Sequence, residues 1–396
     1  MSVVETCDVL VVGAGIAGTT MALELALAGA DVVLAERGAV CSGSSALNAG
    51  GLRHQFTQPA SIRAARDTIA RMATFEEEFG VNPSFRQAGY LFLHAGGRQG
   101  EVLRRAVAAQ NAQGVATRMI PNQEVGELVP GIQTDDLEGA AYGPDDGYMD
   151  PSSMVAGYAL GARRAGVRIL QDNPVSAIAT SAGKATGAGL EGRSLAFDVL
   201  VNAAGAWAPA VARLYGGELP IKARRNQIFV LDQTPAPGRH LALTIDLTLG
   251  FYFHSEGSGL VAGNGEAPEV SDAPARLACD WDELPVLVER ITRRLPGLES
   301  AGVSHGWAGL IETTPDDNPI VGWTHLDNVY TAAGFSGHGM SLAPGLAPHV
   351  AAEIRGGTPR LPLDIYRLER FERGDVEPEG VWGGEGISGG VQEVSV

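Results

Sequence analysis

Cys7-Asp8-Val9-Leu10-Val11-Val12-Gly13-Ala14-Gly15-Ile16-Ala17-Gly18 is the stretch from which the rest of the chain is read. Cys7 to Val12 is a short, β-branched apolar run that ends in Gly13 and leads into a helical pattern from Thr19 to Ala28, closed by Gly29. A second strand, Asp31 to Ala35, follows and delivers Glu36. Strand, helix and strand make a βαβ unit of about 30 residues. A G-x-G-x-x-G match alone is weak, because a chain with 53 glycines matches by chance. Here a strand precedes it, a helix follows it, and Glu36 ends the next strand, 18 residues after Gly18. Gly13 permits the tight turn, Gly15 lets the backbone approach phosphates, and Gly18 lets helix and sheet pack closely. The helix N-terminus then offers unpaired N–H groups and a partial positive charge to a pyrophosphate. Glu36 is placed to accept ribose hydroxyls, and its charge repels a 2′-phosphate. The unit therefore reads as a site for FAD or NAD rather than NADP. The competing reading is a glycine turn without a ligand.

The 396 residues exceed one ordinary core, so two intergrown domains are expected. An apolar content of 45% and a charged content of 19% describe a globular chain. The formal charge of −17 argues against nucleic acid and anionic membrane surfaces as partners. Cys7, Cys41 and Cys279 are odd in number and lack metal-ligand spacing, so neither a disulfide framework nor a metal site is expected. No leader pattern and no apolar run of about 20 residues is found, and a cytoplasmic location is expected.

Further along, Pro59 to Phe79 reads as one long helix and Tyr90 to His94 as a strand. Glu101 to Gln113 is helical, and another helix starts at Asp150-Pro151, with Asp as N-cap and Pro in the first turn. Val167 to Leu170 and Asp198 to Asn202 read as strands. From Ile221 to Gly263 the texture is β, Trp281 to Arg294 is helical, and Val329 to Ala333 is a strand before a last helix to about Ile354, which Pro348 should kink or end. The α/β pieces are split, with β-rich pieces between them. The expected division is a dinucleotide-binding domain from 1–80, 145–215 and 300–374 and a substrate domain from 81–144 and 216–299. The tail 375–396 has six glycines, five acids and no basic residue, and is expected to be disordered.

Two later segments bear on FAD against NAD. Val199 to Trp207 is an apolar strand ending in small residues, which permits close approach of a cofactor. Tyr330 to Met340 is a strand followed by a glycine loop and a helix, a second helix N-terminus able to stabilise negative charge on a reduced flavin. Together they favour FAD.

With these residues the chain resembles the D-amino-acid oxidase / sarcosine oxidase superfamily of FAD-dependent amine oxidoreductases, on the side of the sarcosine oxidase beta-subunit. The likeness covers about residues 5 to 374. It is carried by Val-Val-Gly-Ala-Gly-Ile-Ala-Gly (11–18), Ser-Gly-Ser-Ser-Ala-Leu-Asn-Ala-Gly-Gly-Leu-Arg (42–53), Asp-Gly-Tyr-Met-Asp-Pro (146–151), Asn-Ala-Ala-Gly-Ala-Trp (202–207), Thr-Pro-Asp-Asp-Asn-Pro-Ile-Val-Gly (314–322) and Gly-Phe-Ser-Gly-His-Gly-Met (334–340). The resemblance implies an α/β fold, a glutathione-reductase-type FAD-binding Rossmann domain with an inserted antiparallel-β (α+β) substrate domain. The cofactor-binding residues it implies are Gly13, Gly15, Ile16, Ala17, Gly18, Glu36, Arg37, Ser44, Ser45, Ala49, Gly50, Ala204, Gly205, Trp207 and Gly309. Val175 is implied beside the adenine, and Gly337, His338, Gly339 and Met340 at the pyrimidine edge of the flavin. Relatives with flavin joined to cysteine carry that Cys shortly before Thr-Pro-Asp; Trp307 to Glu312 holds none, so the FAD is expected to be non-covalent. Ser341 stands where some relatives carry a substrate-binding Lys.

The chemistry expected is oxidation of a C–N bond in an amino acid or N-substituted amino acid, by hydride transfer to flavin N5 and hydrolysis of the imine. Oxygen or another acceptor takes the electrons. Arg53 is the first choice for a bidentate clamp on a substrate carboxylate, with a flavin-bound or surface Arg as the bland reading. Tyr252 and His254 share one face of a strand and are expected to line the pocket, against the alternative of ordinary sheet residues. His54 is placed to take a proton near neutral pH, unless it is simply exposed. His338 acts by its side chain or through backbone N–H alone. The alternatives are oxidation of a 2-hydroxy acid on the same scaffold, or a flavin-bearing subunit of a hetero-oligomeric dehydrogenase.

Overall fold

Val9, Leu10 and Val11 are all buried although successive side chains point to opposite faces, which requires a strand covered on both sides. In the computed structural model, which describes residues 4–265, 267–271, 273 and 277–379, that strand is Val4–Val12 at the centre of a sheet. It pairs in parallel with Arg193–Asn202 on one side and Val32–Ala35 on the other. Val329–Ala333 extends the parallel sheet beyond Arg193–Asn202, and Arg168–Leu170 extends it beyond Val32–Ala35. Ile320–Trp323 and the hairpin Ala177–Ser181/Lys184–Leu190 join antiparallel. The helix Ile16–Leu27 packs on the helices Pro151–Arg164 and Gly339–Ile354. Asp150 caps the second of these as expected, accepting the Ser152 and Ser153 N–H groups, a device worth about 1 kcal/mol. This is the α/β dinucleotide-binding arrangement.

The second sheet runs Glu269–Val270, Lys222–Leu231, Gly259–Asn264, Phe251–Glu256, Leu243–Asp246, Tyr90–His94, Gly139–Gly143 and Arg118–Ile120. It is antiparallel except where Leu243–Asp246 lies parallel to Tyr90–His94. Val303–Thr313, expected with the dinucleotide-binding pieces, is bonded along its length to Lys222–Leu231 in this sheet. A two-stranded ladder, Gly51–Leu52 with Gly147–Tyr148, lies between the two large sheets in sequence.

Several expectations need correction. The single helix Pro59 to Phe79 is two: Pro59–Arg71, then, after a turn, Phe75–Phe79. The break brings Phe75 and Phe79 onto Tyr158, with ring centroids 5.2 and 5.1 Å away. Trp281 to Arg294 begins as a 3-10 turn to Glu283, and the α-helix is Leu284–Arg294, with Pro285 in its first turn where its missing N–H is harmless. Pro348 does not end the last helix, which runs Gly339–Ile354 through both Pro344 and Pro348. Leu342, Ala343, Leu346, Ala347 and Val350 on this helix are all buried, and that tertiary packing outweighs two lost backbone bonds. Gly345 meets the helix Pro59–Arg71 so closely that a Cβ would lie 1.9 Å from Ala64 O.

The expected disordered tail also needs revision at its start. Asp375 to Glu379 lies along the Asp316–Asn318 turn. Glu379 N–H donates to Asp316 O (2.9 Å) and Asn318 Nδ2 donates to Glu377 O (2.9 Å). The Glu379 carboxylate accepts the Thr57 N–H (2.8 Å) at the entrance to the helix Pro59–Arg71, whose own N-cap side chain makes no cap bond. A carboxylate at a helix N-terminus is favourably placed, and acidic composition alone did not reveal that partner. Residues 380–396 of the expected tail lie outside the described residues. No helix among the described residues is long and apolar enough to cross a membrane.

Candidate functional site

The glycine turn does in space what its spacing requires. Gly13 has φ +102°, and a Cβ there would lie 2.6 Å from Ala203 O. A Cβ on Gly18 would lie 1.7 Å from Gly13 O, so only glycine lets the helix start this close to the strand. The turn opens onto a cleft of about 310 Å³ whose lining includes Gly15, Ile16, Ala17, Ser44, Ser45, Val175, Ala204, Gly205 and Gly339. Ser45 Oγ accepts the Ile16 N–H (3.0 Å) at the helix start. Ser44 Oγ is buried on the same lining with no hydrogen-bond partner among the described residues.

Glu36 also lines the cleft, but its carboxylate is already engaged: Oε2 accepts Ala14 N–H (2.8 Å) and Oε1 accepts Gly38 N–H (2.9 Å). An ionised carboxylate retains further lone pairs for ribose hydroxyls. Arg37 lies flat over the Trp207 ring, 3.9 Å from its centroid, while Trp207 Nε1 donates to Ala273 O (2.6 Å). The pair forms a rigid wall. A dinucleotide fits these residues: a glycine cradle that tolerates no Cβ, an orphaned hydroxyl and a mainly apolar wall.

The other expected cofactor residues lie off this lining. Gly50 (φ +72°) is forced by a close approach, since its Cβ would sit 2.0 Å from Met149 O. Gly309 lies against the Leu47 backbone, where a Cβ would be 2.6 Å from Leu47 O. Gly337 (φ +80°), His338 and Met340 form the turn into the helix that Gly339 begins. Ala49 contributes its carbonyl, described below.

The expected chemical residues Arg53, His54, His254 and His338 are buried, and each is found with the following neighbours. Arg53 is 4% exposed. Its backbone N–H donates to Ser341 Oγ (3.2 Å), two residues from Gly339 on the cleft. The guanidinium lies over Phe56 and Phe92, 4.3 and 5.3 Å from their centroids. Nη1 donates to Gln55 O, and Nη2 is buried without a partner among the described residues. Burial lowers its pKa, against the pull of Tyr90, Glu379 and Asp146. His338 packs edge-on to Phe56 (5.3 Å), and both its ring nitrogens are buried and unpartnered among the described residues. Burial, and then Arg53, hold it neutral far below the ordinary histidine range.

His54 is neither exposed nor free: Nδ1 is bonded to Asp146 Oδ1, and the His54 N–H donates to the same oxygen (2.8 Å). Asp146, fully buried, also accepts from Gln55 Nε2 (3.1 Å). Sequence reasoning missed this hub, although Asp146 opens one of the quoted motifs. His254, expected to line the pocket, is held between two backbone carbonyls. Nδ1 faces Ser255 O (3.0 Å), Nε2 faces Ala49 O (2.9 Å), and Tyr148 stacks at 4.2 Å. Burial lowers its pKa to about 4. The Tyr252 hydroxyl accepts from Asn226 Nδ2 (2.9 Å), and burial raises its pKa to about 12.

Glu312 was missed. It lines the dinucleotide cleft near Gly205, and burial raises its carboxyl to about 7. The only signal was an acid ending the apolar run Ala308 to Ile311. Among the described residues no cluster of three or more His, Cys, Asp or Glu is placed to hold a metal.

Comparison with known proteins gives a consistent picture. The family model described as FAD dependent oxidoreductase matches residues 8–353. Mitochondrial sarcosine dehydrogenase of Homo sapiens is 29% identical over 384 residues, covering 93% of this chain and 42% of that protein. FAD-dependent oxidoreductase domain-containing protein 1 of Xenopus laevis is 29% identical over 416 residues, covering 93% of this chain and 83% of that one. The chain thus spans less than half of the first relative and most of the second. Among solved structures, L-proline dehydrogenase from P. horikoshii superposes with a TM-score of 0.87 at 29% identity, covering 95% of this chain and 100% of that one.

Proposed function

Since the chain belongs to the FAD-dependent oxidoreductase family, within the superfamily its motifs resemble, we propose that this enzyme oxidises the C–N bond of an amino acid or N-substituted amino acid. The observation that carries the reading is the buried Arg53 guanidinium, whose Nη2, like both ring nitrogens of His338 beside it, has no hydrogen-bond partner among the described residues. A buried cation without a partner is costly, and a substrate carboxylate relieves that cost with a charge-assisted bond. The names of the relatives, sarcosine dehydrogenase and L-proline dehydrogenase, support a substrate of this class.

In this reading Gly13, Gly15, Ile16, Ala17 and Gly18 hold the pyrophosphate with Ser44 and Ser45. Glu36, Arg37, Val175 and Trp207 hold the adenosine end. Ala49, Gly50, Ala204, Gly205, Gly309 and Gly337 to Met340 flank the rest. FAD, when bound, would supply the hydride acceptor for oxidation of the substrate carbon. Arg53 fixes the carboxylate and so the position of that carbon. Phe56, Phe92 and Tyr90 exclude water around the guanidinium. Exclusion of water also favours the neutral amine, the form that is oxidised. His338, held neutral, offers a ring nitrogen to the amine. His54 and His254 keep the walls in place through Asp146 and Ala49. The imine leaves and hydrolyses in water, and oxygen or another acceptor takes the electrons. Three unpaired cysteines suit a reducing compartment such as the cytoplasm.

The test is anaerobic bleaching of the bound flavin by two panels, amino and N-methylamino acids against 2-hydroxy acids. Bleaching by the first panel is expected. Bleaching by hydroxy acids alone overturns the proposal.

A further inference from the structure

We propose that Glu312 presents a neutral carboxyl to the bound dinucleotide and donates a hydrogen bond to it, so that above neutral pH the chain takes up one proton when it binds FAD. The inference rests on the cleft being the FAD site and goes beyond that assignment.

The geometry comes first. Glu312 lies on the cleft lining with Gly13, Gly15, Gly205, Phe335 and Gly339. A Cβ on Gly205 would lie 3.9 Å from its carboxyl carbon and from Oε1, so the carboxyl group stands over the turn Gly205–Trp207. Its surroundings offer no counter-charge. The cross-strand neighbour on Lys222–Leu231 is Ala223. The turn presents Gly205 and Ala206, and the loop before Gly339–Ile354 presents Phe335. Lys222, next to Ala223, is drawn to Glu269 (3.0 Å). Arg224 lies opposite Ile311 and acts on Asp317. The other charged side chains on the lining are Glu36, engaged with Ala14 and Gly38, and Arg37, stacked on Trp207. Burial raises the Glu312 carboxyl to about 7, opposed only by the backbone N–H groups of Glu312 and Phe335.

The cofactor brings the deciding charge. A pyrophosphate is a dianion, and an ionised carboxylate in the same water-poor cleft repels it strongly. A protonated carboxyl removes the repulsion and supplies an O–H donor to a ligand rich in oxygen acceptors. Occupancy therefore moves the carboxyl further towards its neutral form. Below about pH 7 the carboxyl of the apoprotein is already neutral, and affinity does not vary with pH through this group. Above it, each binding event takes up a proton, and Kd rises by up to about tenfold per pH unit.

The test uses apoprotein titrated with FAD from pH 5.5 to 9, followed by quenching of flavin fluorescence. Calorimetry at pH 8 in two buffers of different ionisation heat counts the protons. In wild type we expect a flat Kd to near neutral, a rise of up to about tenfold per unit above it, and close to one proton taken up at pH 8. Glu312→Gln, which keeps a donor and cannot ionise, should match wild type at pH 6 within about threefold, stay flat to pH 9 and take up no proton. The same slope in Glu312→Gln as in wild type overturns the proposal. So does wild type binding without proton uptake, a result that needs no variant. If neither protein binds FAD at pH 6, the cleft assignment falls first, and the proposal with it.

Discussion

The dinucleotide cleft and the buried cluster around Arg53 are built from different materials. The cleft is shaped mainly by main chain: Gly13 against Ala203, Gly18 against Gly13, and the Ile16 N–H at the helix start. The Arg53 cluster is assembled from distant segments: Ser341 on the Arg53 N–H, Phe92 beside the guanidinium, Glu379 acting on it by charge, and Asp146 on His54. A surface made of backbone binds what is common to all dinucleotides. A surface made of side chains can change its ligand by single substitutions, so in the proposed function substrate specificity is assigned there. The contrast is open to attack from both sides.

The largest effect is expected at Gly18. A Cβ there has no room, 1.7 Å from a carbonyl oxygen, so Gly18→Val should yield no protein-bound flavin by absorbance. A soluble yellow variant breaks the comparison. Next, Arg53→Ala should lower kcat/KM for a carboxylate-bearing amine about 1000-fold, near 4 kcal/mol, with flavin content unchanged. Loss of FAD instead would mean that Arg53 serves the cleft. His254 comes third. Its folded-state pKa is depressed to about 4 from an ordinary value near 6.5. The stability that this neutral ring contributes is complete above pH 6.5 and is lost as pH falls towards 4. Over that window wild type should lose about 3 kcal/mol more unfolding free energy than His254→Asn in denaturant melts. Equal acid sensitivity would leave His254 as something other than a buried tie. The smallest effect is at Ser44, whose buried hydroxyl has no partner among the described residues. Ser44→Ala should weaken FAD binding about fivefold, near 1 kcal/mol, without changing kcat.

The same division explains what could be read from the sequence. The βαβ unit is contiguous, and each glycine acts on a neighbour a few residues away, so spacing alone carries it. Glu36 ends the second strand of that unit and was legible for the same reason. Arg53 could be named from its motif, but its state could not, because Phe92 and Glu379 lie far along the chain. The strand period placed Tyr252 and His254 on one face, but Asn226 and Ala49, which occupy their polar atoms, are invisible to a period of two. That the helix continues through Pro348 was not legible, because propensity is local, whereas the burial that holds the helix comes from the whole core. Glu312 escaped because a single acid in a strand looks like a solvated edge until the turn at Gly205 is seen beneath it.

The strand order of the first sheet has a consequence for how the protein is made. Val4–Val12 pairs with Arg193–Asn202, which in turn pairs with Val329–Ala333. The cleft is lined by Ala203 and Ala204 after the second of these strands and by Ala332, Phe335 and Gly339 from the third and beyond. During synthesis the glycine turn emerges first but has no opposite wall until more than 300 residues have followed. Pairings of such sequence separation form slowly. The wall that faces the glycine turn is therefore complete only once Val329–Ala333 and the residues after it are in place. Until then the apolar central strands stand without the neighbours that cover them.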